Sequence, residues 1–366
     1  MSMLKRKIYE ILDRGLSKAV LNLEKMRWHL GTPSPIVEAV SNRAIVSRAI
    51  FTLVKLKIAD QLLIKNQTSY QLANTLNFNT ESLDRFLQFL TTYGVLRRHK
   101  DETFSLTPTA RLFLTTSSPN SLTNWVEYAG SNWLWESCSE LTKCIQQGKS
   151  SFQTRFQKEY FQWLEENPEA SQIFNRAMQS RTRSLNMAIL GHYDFSSYKN
   201  VVDIAGGHGG FLCAVLEKYK EAKGVLFDQK HVIGEMAKDA KLESIKSRIQ
   251  CVGGDILSSI DAQGDLFVLR HILHNWSDED VSRILKNCRV AMGSQGRLLI
   301  IEMLTGEKHD HFARSMDMVM LLLFGPAKER SSREFEQILE TAGLKLNRVI
   351  ETGSPMSILE VVPKAA

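Results

Sequence analysis

Apolar positions change their spacing along this chain, and each change predicts a different kind of structure. In residues 1–30, Leu4, Ile8, Ile11, Ala19, Leu23, Met26 and Leu30 recur at roughly helical intervals, as on one long amphipathic helix. Between 40 and 115 the stripes are shorter and separated by turn signals. Ala44–Lys57 reads as an amphipathic helix, and Thr68 or Ser69 suits the N-cap of a second. Asn79 opens a third helix, which runs through Phe86, Leu87, Phe89 and Leu90 to a stop at Gly94. Val95–Arg98 and Thr103–Leu106 follow as two short strands, so this region reads as a winged helix. Residues 110–195 read as helical and rich in aromatics.

From Asn200 onward, compact apolar runs alternate with amphipathic ones. The runs predict strands at Val201–Ala205, Gly224–Phe227, Ile249–Val252, Leu266–Leu269, Arg297–Met303, Leu344–Glu351 and Ser357–Val362. Ser277 with Asp280, and Ser331 with Glu334, have capping-box spacing at helix starts. The alternation predicts an α/β fold with a doubly wound, mostly parallel, seven-stranded sheet behind an N-terminal helical domain. The expected segments are 1–115, 116–196 and 197–366.

Composition narrows the partners. The 366 residues are 43% hydrophobic and 23% charged, as in soluble globular chains, and are enough for two domains. A net charge of +6 suits an acidic ligand without pointing to nucleic acid. The third helix of the winged-helix region exposes Glu81 and Asp84 beside Arg85, a face that DNA phosphates would repel, so no nucleic-acid partner is expected. Residues 1–30 carry seven basic and three acidic side chains. A basic amphipathic helix can lie on a membrane, but the apolar face lacks bulky aromatics except Trp28, and packing on a subunit or domain is the expected use. No apolar run approaches the ~20 residues of a membrane span. Lys5-Arg6-Lys7 is not followed by an uninterrupted apolar stretch, and Glu10, Asp13 and Glu24 argue against a transit peptide. Five scattered cysteines form no metal-ligand spacing and suit reduced thiols in a cytoplasmic protein; no metal is expected.

The chemistry gathers at the strand ends. The first strand of the alternating region leads into Asp203-Ile204-Ala205-Gly206-Gly207-His208-Gly209-Gly210, a turn that lets a ligand approach the backbone closely. The dinucleotide fingerprint would need glycine at 212, where Leu212 stands. An acid two residues before the turn suits the cationic end of S-adenosylmethionine better than a pyrophosphate. Asp228 ends the next strand, where an acid binds ribose hydroxyls, and Asp255 ends the third. Each acid alone reads as a turn or N-cap residue; together with the glycines they read as a cofactor crevice. His274 follows the fourth strand, and an imidazole with a pKa near ~6.5 is a suitable base. Glu302 or Glu329 could accept a hydrogen bond from its ring and fix the tautomer. The blander alternatives are a surface Glu and a salt bridge from Glu329 to Arg330 or Lys328.

These stretches taken together (VVDIAGGHGG, GVLFDQKHVI, GGDIL, LRHILHNWSDED, LLIIE, FNRAM and DMVMLLLFGPAKERSSREFEQILETAG) resemble the caffeate/hydroxyindole-type class I O-methyltransferases, which include bacterial antibiotic-tailoring enzymes. The resemblance implies methyl transfer from S-adenosylmethionine to a hydroxyl of a small, aromatic or polyketide-like molecule. It implies a homodimer built by 1–115, an acceptor-pocket segment at 116–196 and a catalytic domain at 197–366. Position by position, His274 matches the base, and Glu302 and Glu329 its supporting carboxylates. Ala205 and Gly207 match the glycine-rich loop, with Asp203 before it. Asp228 matches the ribose-binding acid, and Asp255 and Ile256 flank the adenine. Arg270 stands where Lys is usual. Met178 and Met320 match methionines that clamp a flat acceptor, or else pack in the core. Ala205 replaces a usual glycine, a small change provided its φ is negative. Phe324 replaces a polar residue of methoxyphenol-methylating relatives and implies a more apolar acceptor. Some relatives decarboxylate, hydroxylate or cyclise instead; retention of His274, Glu302 and Glu329 favours methyl transfer.

Overall fold

The computed structural model describes residues 3–236, 245–307 and 310–364, and the chain divides into two compact units, Met1–Gly130 and Ser131–Ala366. In the first unit, a helix over Met3–His29 precedes helices Arg43–Lys55, Ile58–Ile64, Ser69–Leu76 and Thr80–Thr92. Thr68 caps the helix at Ser69 in a reciprocal box with Gln71, and the Asn79 side chain accepts from the Ser82 N–H. A two-stranded antiparallel hairpin, β1 (Leu96–Arg98) and β2 (Phe104–Leu106), follows the last of these helices. The core packs Leu53, Ile58, Leu62, Leu72, Leu87 and Leu90 against Phe104. The long helix is different. Leu16, Val20, Leu23, Met26 and Leu30 are all more than half exposed at helical spacing. The side chains of Leu4, Ile8 and Ile11 lie outside the described residues.

The second unit opens with five helices between Asn132 and His192, and their aromatics cluster around Phe152, Tyr160 and Leu164. Seven strands follow: β3 (Asn200–Ile204), β4 (Lys223–Asp228), β5 (Ile249–Gly253), β6 (Leu266–Arg270), β7 (Arg297–Met303), β8 (Leu344–Glu351) and β9 (Met356–Pro363). All seven fall where the apolar runs predict them, within about a residue or two. They make one sheet in the order β5-β4-β3-β6-β7-β9-β8, parallel except for β9.

The reason for the continuous apolar runs is burial of both sheet faces. Val202, Ile204, Phe267, Leu269, Leu298 and Ile300 enter one core layer, while Val201, Leu266, Val268, Leu299 and Ile301 enter the other. The chain leaves β3 toward β4 on one side and reaches β6 on the other. The order reverses between β3 and β6, and the crevice at such a reversal, beyond the carboxyl ends, is where open α/β sheets bind ligands.

Candidate active site

Beyond β3 the chain turns sharply. Ala205 has φ of +54°, Gly207 +57° and Gly209 +65°, and a helix starts at Gly210. The proviso attached to Ala205 therefore fails: its φ is positive, at a cost of about 1 kcal/mol. Its N–H donates to the Phe227 carbonyl at 2.7 Å, and its methyl packs against the core, which holds the turn in place. Gly206 is required for space, because a Cβ there would lie 2.5 Å from Asp203 Oδ2 and 2.6 Å from Leu226 Cδ1. At Gly207 a Cβ would meet nothing within 4 Å, so its backbone faces open space.

Asp203 is 1% exposed, and its Oδ2 has no hydrogen-bond partner among the described residues. Burial pushes its carboxyl up to about 7, with Arg270 opposing and Asp228 adding to the shift. Arg270 is itself lowered by burial, against the pull of Asp203 and Glu302. It donates to Asn186 Oδ1 at 3.1 Å and lies over the Phe211 ring, 5.4 Å from the centroid. The Asn186 Nδ2 donates to the Gly210 carbonyl at 2.9 Å, so this one side chain ties helix Pro168–His192 to both Arg270 and the glycine turn. Sequence reasoning missed Asn186, an ordinary polar residue in a helical stretch.

Asp228 accepts from the Gly207 and Gln229 N–H groups, each at 2.7 Å, and so braces the turn from β4. Asp255 accepts from the Leu257 N–H at 2.9 Å and the Ser258 hydroxyl at 3.1 Å. Ile256 is buried in the core, and its carbonyl accepts from Asn287. A buried carboxylate with an unfilled oxygen, beside a backbone turn open to close approach, fits a cofactor with a cationic centre and ribose hydroxyls. A pyrophosphate would be repelled by Asp203 at the same place.

The surroundings of His274 are built around a 3-10 turn, Leu273–Asn275, beyond β6. The preceding residue pair makes this possible: His271 takes a left-handed φ of +56° and redirects the chain. Glu302, on β7, accepts with Oε1 from the Ile272 N–H at 3.0 Å and the Leu273 N–H at 2.9 Å. Arg330 grips the other end. It is 1% exposed and donates to the carbonyls of Leu273 and Trp276 at 2.9 and 2.8 Å and to Asp278. Arg330 was also missed as a site residue, because beside Glu329 in sequence it read only as that residue's ion-pair partner.

His274 is thereby held nearly buried, at 7% exposure. Its Nδ1 lies 2.6 Å from Glu329 Oε1. A carboxylate only accepts, so Nδ1 carries the proton and Nε2 keeps its lone pair. Burial alone would lower the ring's pKa; the charge of Glu302 and the bond and charge of Glu329 outweigh it, and the net shift is upward. Burial moves Glu302 upward as well. Of the two carboxylates, then, Glu329 bonds the ring while Glu302 bonds the backbone beneath it, with Oε2 3.9 Å from His274 Nδ1. Glu329 is positioned in turn by its N–H, which donates to Asp317 Oδ1 at 3.0 Å.

Asp317 belongs to helix Asp310–Phe324, which packs against the 3-10 turn. Met320 is on this helix and buried. Phe324 ends it, edge-on to Tyr160 at 5.3 Å and tilted against Phe161 at 5.4 Å. Met178 lies half-buried on helix Pro168–His192.

A family model for an O-methyltransferase domain matches residues 138–345. The chain belongs to that O-methyltransferase family. A second model, an O-methyltransferase dimerisation domain, matches residues 39–116. The phenazine O-methyltransferase of Lysobacter antibioticus is 34% identical over 87% of this chain and 93% of its own length. The mitomycin biosynthesis 6-O-methyltransferase of Streptomyces lavendulae is 30% identical over 86% and 90%. Among solved structures, LaPhzM superposes with a TM-score of 0.81 at 33% identity, covering 90% of this chain and 98% of its own. The calicheamicin-biosynthesis methyltransferase CalO1, solved with S-adenosylhomocysteine bound, gives 0.78 at 28% identity with the same coverage of each chain. This O-methyltransferase therefore uses S-adenosylmethionine, and the fold and family expectations stand.

Proposed function

We propose that this O-methyltransferase methylates a phenolic hydroxyl on a small, flat, apolar aromatic or polyketide-derived molecule, with His274 as general base. The observation that carries the reading is the His274–Glu329 pair, which leaves Nε2 as a free acceptor at the carboxyl edge of the sheet. S-adenosylmethionine supplies an electrophilic methyl group on a sulfonium. Asp203, Asp228 and the backbone of Ala205 and Gly207 would hold it, with Asp255 and Ile256 near its adenine and Arg270 beneath. His274 Nε2 takes the hydroxyl proton as the oxygen attacks, and Glu329 stabilises the imidazolium that results. Met178, Met320 and Phe324 would wall the acceptor and hold it in line, where most of the rate advantage arises. The relatives support an aromatic acceptor, since one is named a phenazine O-methyltransferase and another a 3-amino-4-hydroxybenzoate 4-O-methyltransferase.

Residues 1–115 serve assembly, 116–196 shape the acceptor pocket, and 197–366 carry the cofactor and base. The exposed apolar row of the long helix supports a homodimer, because such a face is costly in water. No described helix is long and apolar enough to cross a membrane, and the five free thiols suit the cytoplasm. The test is a panel of hydroxyphenazines and hydroxynaphthoic acids incubated with cofactor and read by mass spectrometry. A gain of one methyl on oxygen supports the reading. Cofactor binding without methylation of any member, together with a tight complex with NAD, would sink it.

A further inference from the structure

A second imidazole lies beside that of His274. The ring of His271 lies 5.0 Å from that of His274, centroid to centroid, and its Nδ1 is 3.9 Å from Glu302 Oε2. The same oxygen is 3.9 Å from His274 Nδ1. It is fully buried and has no hydrogen-bond partner among the described residues. Its direction is fixed, because Oε1 is held by two backbone N–H groups. One ligand atom from each of His271, His274 and Glu302 all lie within 4.8 Å of one another.

We propose that His271, His274 and Glu302 form a reversible site for a divalent transition-metal ion of the zinc type, and that filling it switches methyl transfer off. Two imidazoles and one carboxylate are a common donor set for such ions. Zinc binds these atoms at about 2.0–2.2 Å, so ligand atoms around one ion sit roughly 3.4 Å apart. The two 3.9 Å separations to Glu302 must contract by about 0.5 Å, and the whole set must draw in from its 4.8 Å span. Glu302 is held by two backbone N–H groups, so the adjustment falls to the His271 side chain, which is 22% exposed. Glu329, whose Oε2 is also buried and unpartnered, stands ready as a fourth ligand or counter-charge. Arg270 and Arg330 act against a cation here, which favours a site that fills and empties over a resident ion.

The switching rests on reading His274 as the base. An ion bound through Nδ1 displaces the proton now shared with Glu329. A neutral ring ligated at Nδ1 carries its one proton on Nε2, the atom that must accept from the substrate. The proton moves from one ring nitrogen to the other, and no further reactant is required.

The test uses the full-length enzyme, zinc for inhibition and cobalt as the spectroscopic probe. The wild type should lose turnover as zinc is added, regain it with a chelator, and give the intense visible band of low-coordinate cobalt. His271→Asn suits a left-handed backbone and should keep turnover. Its zinc midpoint should rise by at least about tenfold, since even an outer-sphere partner is worth that much, and its cobalt band should vanish. His271→Gly, with a thermal melt, guards against misfolding. Equal zinc sensitivity in both variants and wild type, no cobalt band in the wild type, or cobalt bound with turnover intact would each overturn the proposal. Full activity of His274→Ala would remove the base reading instead, and with it the switching; the cobalt band then still decides the site.

Discussion

Changing Asp203 to Asn should make the enzyme more stable and less able to hold its cofactor. The carboxyl sits 1% exposed with one oxygen unpartnered, and burial lifts it from 3.8 to about 7. The folded state therefore binds this proton more tightly than the unfolded chain. Stability is intact below the unfolded value and is lost as pH rises toward the folded one, at about 1.4 kcal/mol per unit. Three units set a ceiling of about 4 kcal/mol. Arg270, which Asp203 helps keep charged, returns part of that, so a gain of about 2 kcal/mol at pH 8 is the working figure. For a unit of this size each kcal/mol moves the melting point by about 2–4 °C. Thermal melts at pH 8 should favour the Asn variant, and the advantage should shrink at pH 5. Calorimetry with S-adenosylhomocysteine should show weaker binding. A variant that melts lower than wild type at pH 8, or that binds cofactor unchanged, would refute the argument.

His274→Ala should leave cofactor binding in place and cut turnover by roughly 10²–10⁴-fold, measured by product mass. Because its pKa is raised and only the neutral ring accepts a proton, the acid limb of the rate profile should lie above the ordinary imidazole value, with rate rising as pH rises through it. Glu329→Gln weakens a charge-assisted bond and should cost roughly 10–100-fold in turnover. Glu302→Gln keeps an acceptor for Ile272 and Leu273 while removing a charge that raises His274; the acid limb should move to lower pH with less loss at the plateau. Leu16→Glu with Leu23→Glu should shift light-scattering mass toward the monomer without lowering the melting point of the Ser131–Ala366 unit, since both residues are exposed.

The sheet was legible because burial on both faces leaves unbroken runs such as Leu266–Leu269, and few other structures require them. The place of His274 was legible for a related reason: a strand's carboxyl end fixes what lies beyond it. The supports of that site were harder to read. Glu302 and Glu329 look alike in sequence, yet one binds backbone and the other the ring, and only the path of the Leu273–Asn275 turn decides which. Asn186 and Arg330 act across 24 to 84 residues of chain, and no local pattern marks them. Ala205 shows a limit of another kind. A non-glycine residue signals negative φ on steric grounds, and the Phe227 carbonyl and core contacts overrule that preference.

Arg330 and Glu329 are consecutive in sequence, and between them they fix two different things. One holds the carbonyls of the turn that carries His274; the other selects which nitrogen of its ring carries the proton. A slip of a single residue in this short stretch would derange both together. Such a slip should accordingly cost far more than a single substitution at Glu329. Phe324, proposed to wall the acceptor, meets the rings of Tyr160 and Phe161, so substitutions at this aromatic contact offer a route to new acceptor preferences that leaves the His274–Glu329 pair as it is.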